Sequence, residues 1–485
     1  MPGKSKADSR LTIAILGGGF SGTTVAAQIL RRSEGNVSVV LVERDTHFGR
    51  GVAYGTQCVE HLLNVPASNM SAYAEDPEHF LRWARLHYDH AVRDHSVNPD
   101  PFLPRSVYGQ YVTSVLQKEV ELRPGQFEHR QDEAISLASC GNKAEIHLRS
   151  GQFLLADKVV LALGNFPPGD PRLPGKTPDS QRYVSNPWIV GALDDIGDDD
   201  RVLLVGTGLT SVDVGIALRK RGFRGTVHML SRHGLLPQTH KATSSWVPIW
   251  DQEFPRTIRG LLRSIRLQVQ AAERLGSDWR EVIDSLRPFV QEFWQSLQRH
   301  EQRRFLRHVR PYWDVHRHRV APEIGSRLAK ELTNGQSQIH AGRITSYSEQ
   351  PDGVDVTYRD RANGHPKLLQ VDRVVNCSGP ESDCRKVDDP LLRSLMQQKL
   401  ASPDALFLGL NVSADGALID HSGVPSNFLY AVGPVRKGSL WETIAVPEIR
   451  GQVSELSKLL LTVNAGEDGE GPRRDLVADL YSAVP

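Results

Sequence analysis

The same short grammar occurs twice in this chain, and it leaves few folds open. LTIAIL (11–16) is a mostly apolar run. Gly17, Gly18, Gly19, Phe20, Ser21 and Gly22 follow it, then a helix-like TTVAAQILRR, then VSVVLVERD, a second apolar run ending in acid. At Arg201 the pattern restarts as RVLLVGTGLTSVDVGIALRKRG followed by TVHMLSRHG. Strand, glycine turn, helix, strand is a βαβ unit. Two such units predict an α/β protein with two Rossmann-like dinucleotide-binding domains and an inserted helical region. A quieter repeat agrees: 144–164 and 354–379 each read as a hairpin leading into a strand that ends in a small residue and glycine. Each nucleotide-binding unit is thereby expected to carry its own meander and closing strand.

The residue types in the turns carry chemistry. In Gly17-x-Gly19-x-x-Gly22, glycine is needed at the tight turn, where a pyrophosphate approaches the backbone, and where helix meets strand. The helix N-terminus then offers free N–H groups to the anion. Glu43 ends the next strand, 21 residues past Gly22. A carboxylate there accepts hydrogen bonds from ribose hydroxyls and repels a 2′-phosphate. The second turn is Gly206-x-Gly208-x-x-Ser211, and its following strand ends in Ser231, Arg232 and His233. A hydroxyl beside a guanidinium suits a 2′-phosphate. The first unit is therefore expected to take FAD and the second NADPH.

Composition excludes several alternatives. At ~100–200 residues per domain, 485 residues make two or three domains. A net charge of +1 gives no field for a nucleic acid or an anionic membrane. The longest apolar runs, Val39–Val42 and Val159–Leu163, are strand-sized, far below the ~20 residues of a membrane span. The start, MPGKSKADSR, has no signal-type apolar region, so a cytoplasmic location is expected. Cys58, Cys140, Cys377 and Cys384 are scattered, without the C-x-x-C spacing of a metal site or redox dithiol. Gly-x-Ser-x-Gly is absent, which disfavours a hydrolase.

Between the second unit and its hairpin lies an amphipathic helical region, about 245–335. Its apolar residues are spaced mostly at three and four (Ile258, Leu261, Leu262, Ile265; Ile283, Leu286, Val290, Phe293, Leu297), with Pro288 set to kink or divide it. Such an insertion serves as a lid, a pocket wall or a dimer surface of a homo-oligomer, and spacing does not choose among these. Trp313, His316, Arg317, His318 and Arg319 form its polar knot. Anion or cofactor contact and a helix-end salt-bridge network weigh equally there. A metal is disfavoured because Arg317 and Arg319 interleave the Asp314, His316 and His318 ligands. Glu442, Glu448 and Arg450 carry the same ambiguity, and Trp441 suits a core position as well as ring stacking. The segment 466–485 is expected to be a flexible tail.

The two fingerprints, VVLALGN (159–165) and VVNCSGP (374–380), and the order of these parts resemble the two-dinucleotide-binding-domain flavoproteins. These include the flavin-containing, N-hydroxylating and Baeyer–Villiger monooxygenases. GRGVAYGT (49–56) with HLLNVPASNMS (61–71), RFLRHVRPYWDVHRHRVAPEI (304–324) and AVGPVRKGSLWETIAVPEIRGQ (431–452) are similar, more narrowly, to a bacterial FAD/NAD(P)-binding family with relatives similar to amino-acid N-oxygenases. The resemblance covers about 11–460. It implies an FAD domain at 11–190 and 375–465 and an NAD(P)H domain at 198–374. It also implies that Gly17, Gly19, Gly22 and Glu43 hold the ADP half of FAD, with Phe20, Ser21 and Arg44 beside them. Arg50 to Tyr54, then Asn64, Val65 and Pro66, would run under the flavin ring. Gly164 and Gly379 would close the two strands onto the cofactors, and Gly433 would bring a helix N-terminus to the flavin tail. Many relatives place Asp after that glycine, where this chain has Pro434. The Baeyer–Villiger fingerprint is missing; Tyr183 to Trp188 (YVSNPW) stands in its position.

The activity expected is an FAD-dependent, NADPH-using monooxygenation of a small polar, amine-type substrate by dioxygen through a flavin peroxide. Two alternatives are an NADPH-dependent reductase that passes electrons to a partner, and a non-catalytic FAD-binding redox sensor. The cofactors carry the chemistry, so no side chain is singled out as catalytic.

Overall fold

The computed structural model describes residues 10–88, 100–141, 143–177, 180–247 and 255–462. The basic start and the tail assigned to 466–485 lie outside them. The strands, in chain order, are β1 (Leu11–Leu16), β2 (Val37–Glu43), β3 (Phe127–Gln131), β4 (Ala134–Cys140), β5 (Lys143–Leu148), β6 (Phe153–Ala156), β7 (Lys158–Leu161) and β8 (Tyr183–Val184). They continue with β9 (Val202–Val205), β10 (Val227–Ser231), β11 (Ser337–Gln350), β12 (Gly353–Asp360), β13 (Pro366–Val371), β14 (Arg373–Asn376), β15 (Ala417–Ile419) and β16 (Pro425–Ala431).

Six strands form the first sheet in the order β15-β16-β7-β1-β2-β3, parallel except at the β15–β16 edge. Ile15 lies opposite Leu41 in β2 and Val160 in β7. Both faces of β1 are buried, as a central parallel strand requires. Ile13 and Ile15 pack on the helices Phe20–Arg32, Arg105–Leu122 and Val446–Thr462, while Ala14 and Leu16 pack on the opposite layer. That layer is the antiparallel meander β4-β5-β6 with the helix Pro390–Gln397. Each Ile or Leu sealed this way contributes ~1.5–3 kcal/mol. Arg32 ties the first described helix to the last through Ser454 O (2.7 Å) and Ser457 Oγ (2.8 Å), so these two helices, far apart in sequence, complete one layer.

The second sheet runs β13-β12-β11-β10-β9-β14-β8. Its parallel centre resembles that of the first, and the long β11 leaves it to pair antiparallel with β12. Val202, Leu204, Val227 and Met229 pack against Val214 and Leu218 of the helix Leu209–Lys220. Leu203, Val205 and Leu230 face the β12 side.

The inserted region is helical at Ile258–Arg274, Trp279–Ser285, Val290–Ser296, Arg299–His308, Arg310–Arg317 and Pro322–Thr333. Its three-and-four spacing closes a separate core of Ile258, Leu261, Ile283, Leu286, Val290, Phe293, Trp294 and Leu297. Pro288 sits in a 3-10 turn, Arg287–Phe289, that divides two of the helices. No helix among the described residues is long and apolar enough to cross a membrane.

Candidate functional site

The two glycine turns are geometrically alike. Gly17 has φ +106°, and a Cβ there would stand 2.5 Å from the Ala162 carbonyl oxygen at the end of β7. Gly206 has φ +133°, and a Cβ there would stand 2.3 Å from the Cys377 carbonyl oxygen after β14. In each unit the turn presses on the backbone that leaves the closing strand, so the two hairpin-to-strand segments of the sequence end at equivalent places. Gly164 (φ +66°) and Gly379 (φ +88°) follow those strands, with open space where a Cβ would project. Gly22 meets the Gly17 carbonyl so closely, at 1.9 Å for a Cβ, that no side chain fits. Ser211, its counterpart in the second unit, is fully buried and tolerates a side chain.

Gly19 and Gly208 are the N-caps of the two helices. Neither helix has a side-chain cap or an acid in its first turn, so the first N–H groups remain available to an anion. Glu43 lies beside the first turn and accepts from Gly18 N (2.6 Å) and Asp45 N (3.1 Å). Arg44 and Arg50 are exposed next to it. Phe20 is buried against Tyr54 and Tyr108, with ring centroids at 6.3 and 6.0 Å. Ser21 abuts Gly433 (φ +80°), where a Cβ would come within 2.8 Å of its Oγ. Gly433 opens only a 3-10 turn, Gly433–Arg436; the long helix begins at Val446. The expected helix N-terminus thus lies farther along the chain; Gly433 N donates to Gln452 Oε1 of that helix (3.0 Å), and the Gly433 carbonyl accepts from Thr443 Oγ1 in the loop before it (2.9 Å).

Ser231 Oγ accepts from Gly234 N (3.0 Å) and lies 2.9 Å from Thr207 Oγ1. Arg232 is exposed and makes no ion pair among the described residues. Burial, then the charges of Arg361 and Arg232, lower the pKa of the His233 imidazole.

A cavity of about 860 Å³ joins the two units. Gly206 to Thr210 and Ser231 to His233 line it, as do Tyr54, Asn64, Val65 and Gly164. The insertion adds Arg310, Asp314 and His318, and the returning chain adds Lys437 and Ile444 to Val446. Gly17, Gly19, Gly22 and Glu43 lie outside this lining. Asn64 is positioned through its carbonyl, which accepts from His240 Nε2 (2.9 Å).

Residues 14–166 match the family described as FAD-NAD(P)-binding. No curated protein sequence matches the chain. Among solved structures, the ornithine hydroxylase PvdA of Pseudomonas aeruginosa superposes with a TM-score of 0.63 at 14% identity, over 93% of this chain and 99% of that one. L-lysine 6-monooxygenase of Pseudomonas syringae gives 0.63 at 15%, over 93% and 99%. The bacillithiol disulfide reductase Bdr of Staphylococcus aureus gives 0.53 at 12%, over 93% and 98%. The fold is that of the two-dinucleotide-binding-domain flavoproteins.

FAD and a nicotinamide dinucleotide are the cofactors of such a flavoprotein, and the residues present fit them. The first turn offers an uncapped helix N-terminus with a carboxylate beside it. The Tyr108 hydroxyl, fully buried next to Phe20 and Tyr54, has no hydrogen-bond partner among the described residues. A buried hydroxyl left this way costs ~1–3 kcal/mol unless something else satisfies it.

The polar knot divides. Arg317 pairs with Glu448 (3.2 Å), which also takes two bonds from Arg287 (2.7 and 3.0 Å), and Arg319 pairs with Asp284. Burial opposes charge on Glu448, but the Arg287 hydrogen bonds and the charges of Arg287 and Arg317 hold its carboxyl below the usual range. Asp314 and His318 instead face the cavity; Asp314 bonds Arg310 (3.3 Å), and burial lowers the pKa of His318. His316 is tied to the Tyr312 carbonyl (2.7 Å). Among the described residues no group of three or more His, Cys, Asp or Glu could hold a metal. Glu442 accepts from Trp313 Nε1 (2.9 Å), and Arg450 donates to Ser71 O (3.2 Å). Trp441 is core, packed on Trp294 and Phe305 at 5.1 and 4.9 Å with φ +60°.

Sequence reasoning did not single out Lys437, Arg310 or Arg343. Lys437 stands 4.9 Å over the Trp441 ring, and burial followed by the Arg310 charge brings its pKa down to about 8. Its place four residues after Gly433 was the available signal. All four cysteines are free; burial pushes the Cys377 and Cys384 thiols up to about 12.

Proposed function

We propose that this flavoprotein is an FAD-dependent, NADPH-using monooxygenase of a small, polar, amine-type substrate. The observation that supports the proposal is the shared cavity, whose lining includes the second glycine turn and Arg232 as well as Tyr54, Asn64, Val65 and Gly164. In this reading the N–H groups after Gly208 hold the pyrophosphate of NADPH, and Arg232 with Ser231 holds its 2′-phosphate. Glu43 takes the ribose of FAD, and Arg44, Arg50 and Gly433 flank the same cofactor. FAD, when bound, would supply the redox chemistry that couples NADPH and dioxygen to an N-hydroxylated amine and water.

The chain's own groups prepare the amine. A nucleophilic nitrogen must shed its proton, and the positive field of Arg310, Arg343 and Lys437 in a partly desolvated cavity disfavours an ammonium there. His318 lines the same cavity, and burial favours its neutral ring, which can hydrogen-bond the amine. Two structural neighbours are named for amine oxygenation, of ornithine and of lysine, which supports this class. A reductase route through a thiol of this chain has less support. Cys377 is the one cysteine lining the cavity among the described residues, is free, and is kept protonated by burial.

The test is a product balance. With an amine series in air, NADPH oxidation should yield N-hydroxylated amine in near-equal amount for at least one member. NADPH oxidation that yields only hydrogen peroxide with every amine would reject the oxygenase in favour of a reductase.

A further inference from the structure

The inserted helices carry a charge imbalance that the proposed chemistry does not use. The whole chain has net charge +1, yet residues 255–320 hold 14 arginines against seven acids. The excess is not spread evenly. On the helix Ile258–Arg274, Arg259, Arg263 and Arg266 fall four and three residues apart, on one exposed stripe. Like charges at those spacings repel along a helix. Arg280, Arg287, Arg317 and Arg319 of the insertion are each matched by a carboxylate. None of the three stripe arginines has a carboxylate within salt-bridge distance among the described residues.

The stripe borders a groove of about 620 Å³ between this helix and Arg299–His308. Arg304, whose partner is Glu301, and His308 stand on the opposite wall. The groove also has apolar surface, with Ile258, Leu262 and Val309 in its lining and Leu267 57% exposed. An unpaired arginine stripe beside an apolar strip matches a helix with an apolar face and an acidic flank. A flat anionic bilayer would meet the rims but not the recessed residues.

We propose that the groove between Ile258–Arg274 and Arg299–His308 is a docking site for an acidic amphipathic helix of a partner protein. Arg259, Arg263 and Arg266 would pair with its carboxylates, and Leu262, Leu267 and Val309 would cover its apolar face. The site is separate from the nucleotide cavity, apart from the shared wall at Val309–Arg310, so it stands whether or not the proposed oxygenation does.

The probe is a fluorescein-labelled synthetic helix of about five turns. It carries leucine at every third or fourth position and glutamate between. The full-length protein is titrated with it at low ionic strength and at ~0.15 M salt, beside a peptide of equal charge with every leucine replaced by serine. The expected result is binding of the leucine peptide at both salts, at least tenfold tighter than the serine peptide. R259E/R263E/R266E should weaken it at least tenfold while leaving NADPH oxidation unchanged. A milder triple change to glutamine, which keeps the helix-forming character, should weaken it in the same direction. Equal binding of both peptides, or no response to either triple variant, would overturn the proposal. So would sedimentation with phosphatidylglycerol-containing vesicles that the leucine peptide fails to displace, which assigns the stripe to lipid. Self-association abolished by the triple variants, without peptide binding, would assign it to a second copy of this chain.

Discussion

Replacing Arg232 by alanine isolates the 2′-phosphate assignment. The side chain is exposed and has no carboxylate partner among the described residues, so its loss leaves no buried charge and should change stability by no more than ~0.5 kcal/mol. Ser231 keeps its contacts to Thr207 and Gly234. A hydrogen bond to a charged group is worth ~1.5–3 kcal/mol, and ~1.4 kcal/mol is a factor of ten. Arg343 lines the same cavity and retains part of the positive field, which places the expected loss near the lower end, about tenfold. The assay is anaerobic flavin reduction over a range of NADPH and of NADH concentrations. The apparent Kd for NADPH should rise about tenfold, and that for NADH should hold within twofold. Equal weakening of both nucleotides would mean that Arg232 serves the shared part of the molecule, and an unchanged NADPH value would remove it from the site.

Four further outcomes follow from the same geometry. Gly22→Ala would drive a methyl into the Gly17 carbonyl and should give protein that purifies without yellow colour. Gly206→Ala, with its methyl 2.3 Å from the Cys377 oxygen, should keep the colour and lose reduction by NADPH; matching absorption spectra and anaerobic reduction traces check both. Glu448→Gln strands Arg317 and Arg287 and should cost ~3–5 kcal/mol at neutral pH, read as a lowered unfolding midpoint. Because the folded carboxyl ionises below its unfolded value, its contribution is complete above the ordinary carboxylate range and fades as pH falls through the folded value. The gap between wild type and variant should therefore close in acid, and a gap independent of pH would contradict the pairing. Cys377→Ser should leave NADPH oxidation intact, whereas a thiol relay would lose it.

Much of this fold was legible because its strongest signals are local. Gly17 to Glu43 and Gly206 to Arg232 each concentrate strand, turn, helix and strand within about thirty residues, and backbone sterics demand glycine at fixed steps. The insertion was legible for the same reason, since Ile258, Leu261 and Leu262 already show a helical period. Contacts between distant segments were not legible. Nothing near Gly433 announces that it rests on Ser21, and nothing near Gly17 names the Ala162 carbonyl that makes glycine obligatory there. The knot at 313–319 was ambiguous because a helix sends neighbouring residues to different sides. Arg317 turns to Glu448, while Asp314 and His318 turn to the cavity. Lys437 gained meaning only when Trp441 and Arg310 were seen around it. Charge totals hid the basic groove, because acids elsewhere in the chain cancel its arginines.

Rapid mixing of the purified protein with NADPH in the absence of air tests the central assignment most directly, with absorbance followed in the flavin bands. The two turns, and the cavity that the second of them lines, predict a yellow protein whose colour bleaches in one phase at saturating NADPH, and much more slowly with NADH. A colourless protein that takes up no FAD on reconstitution, or a yellow one that neither nucleotide bleaches, would contradict it.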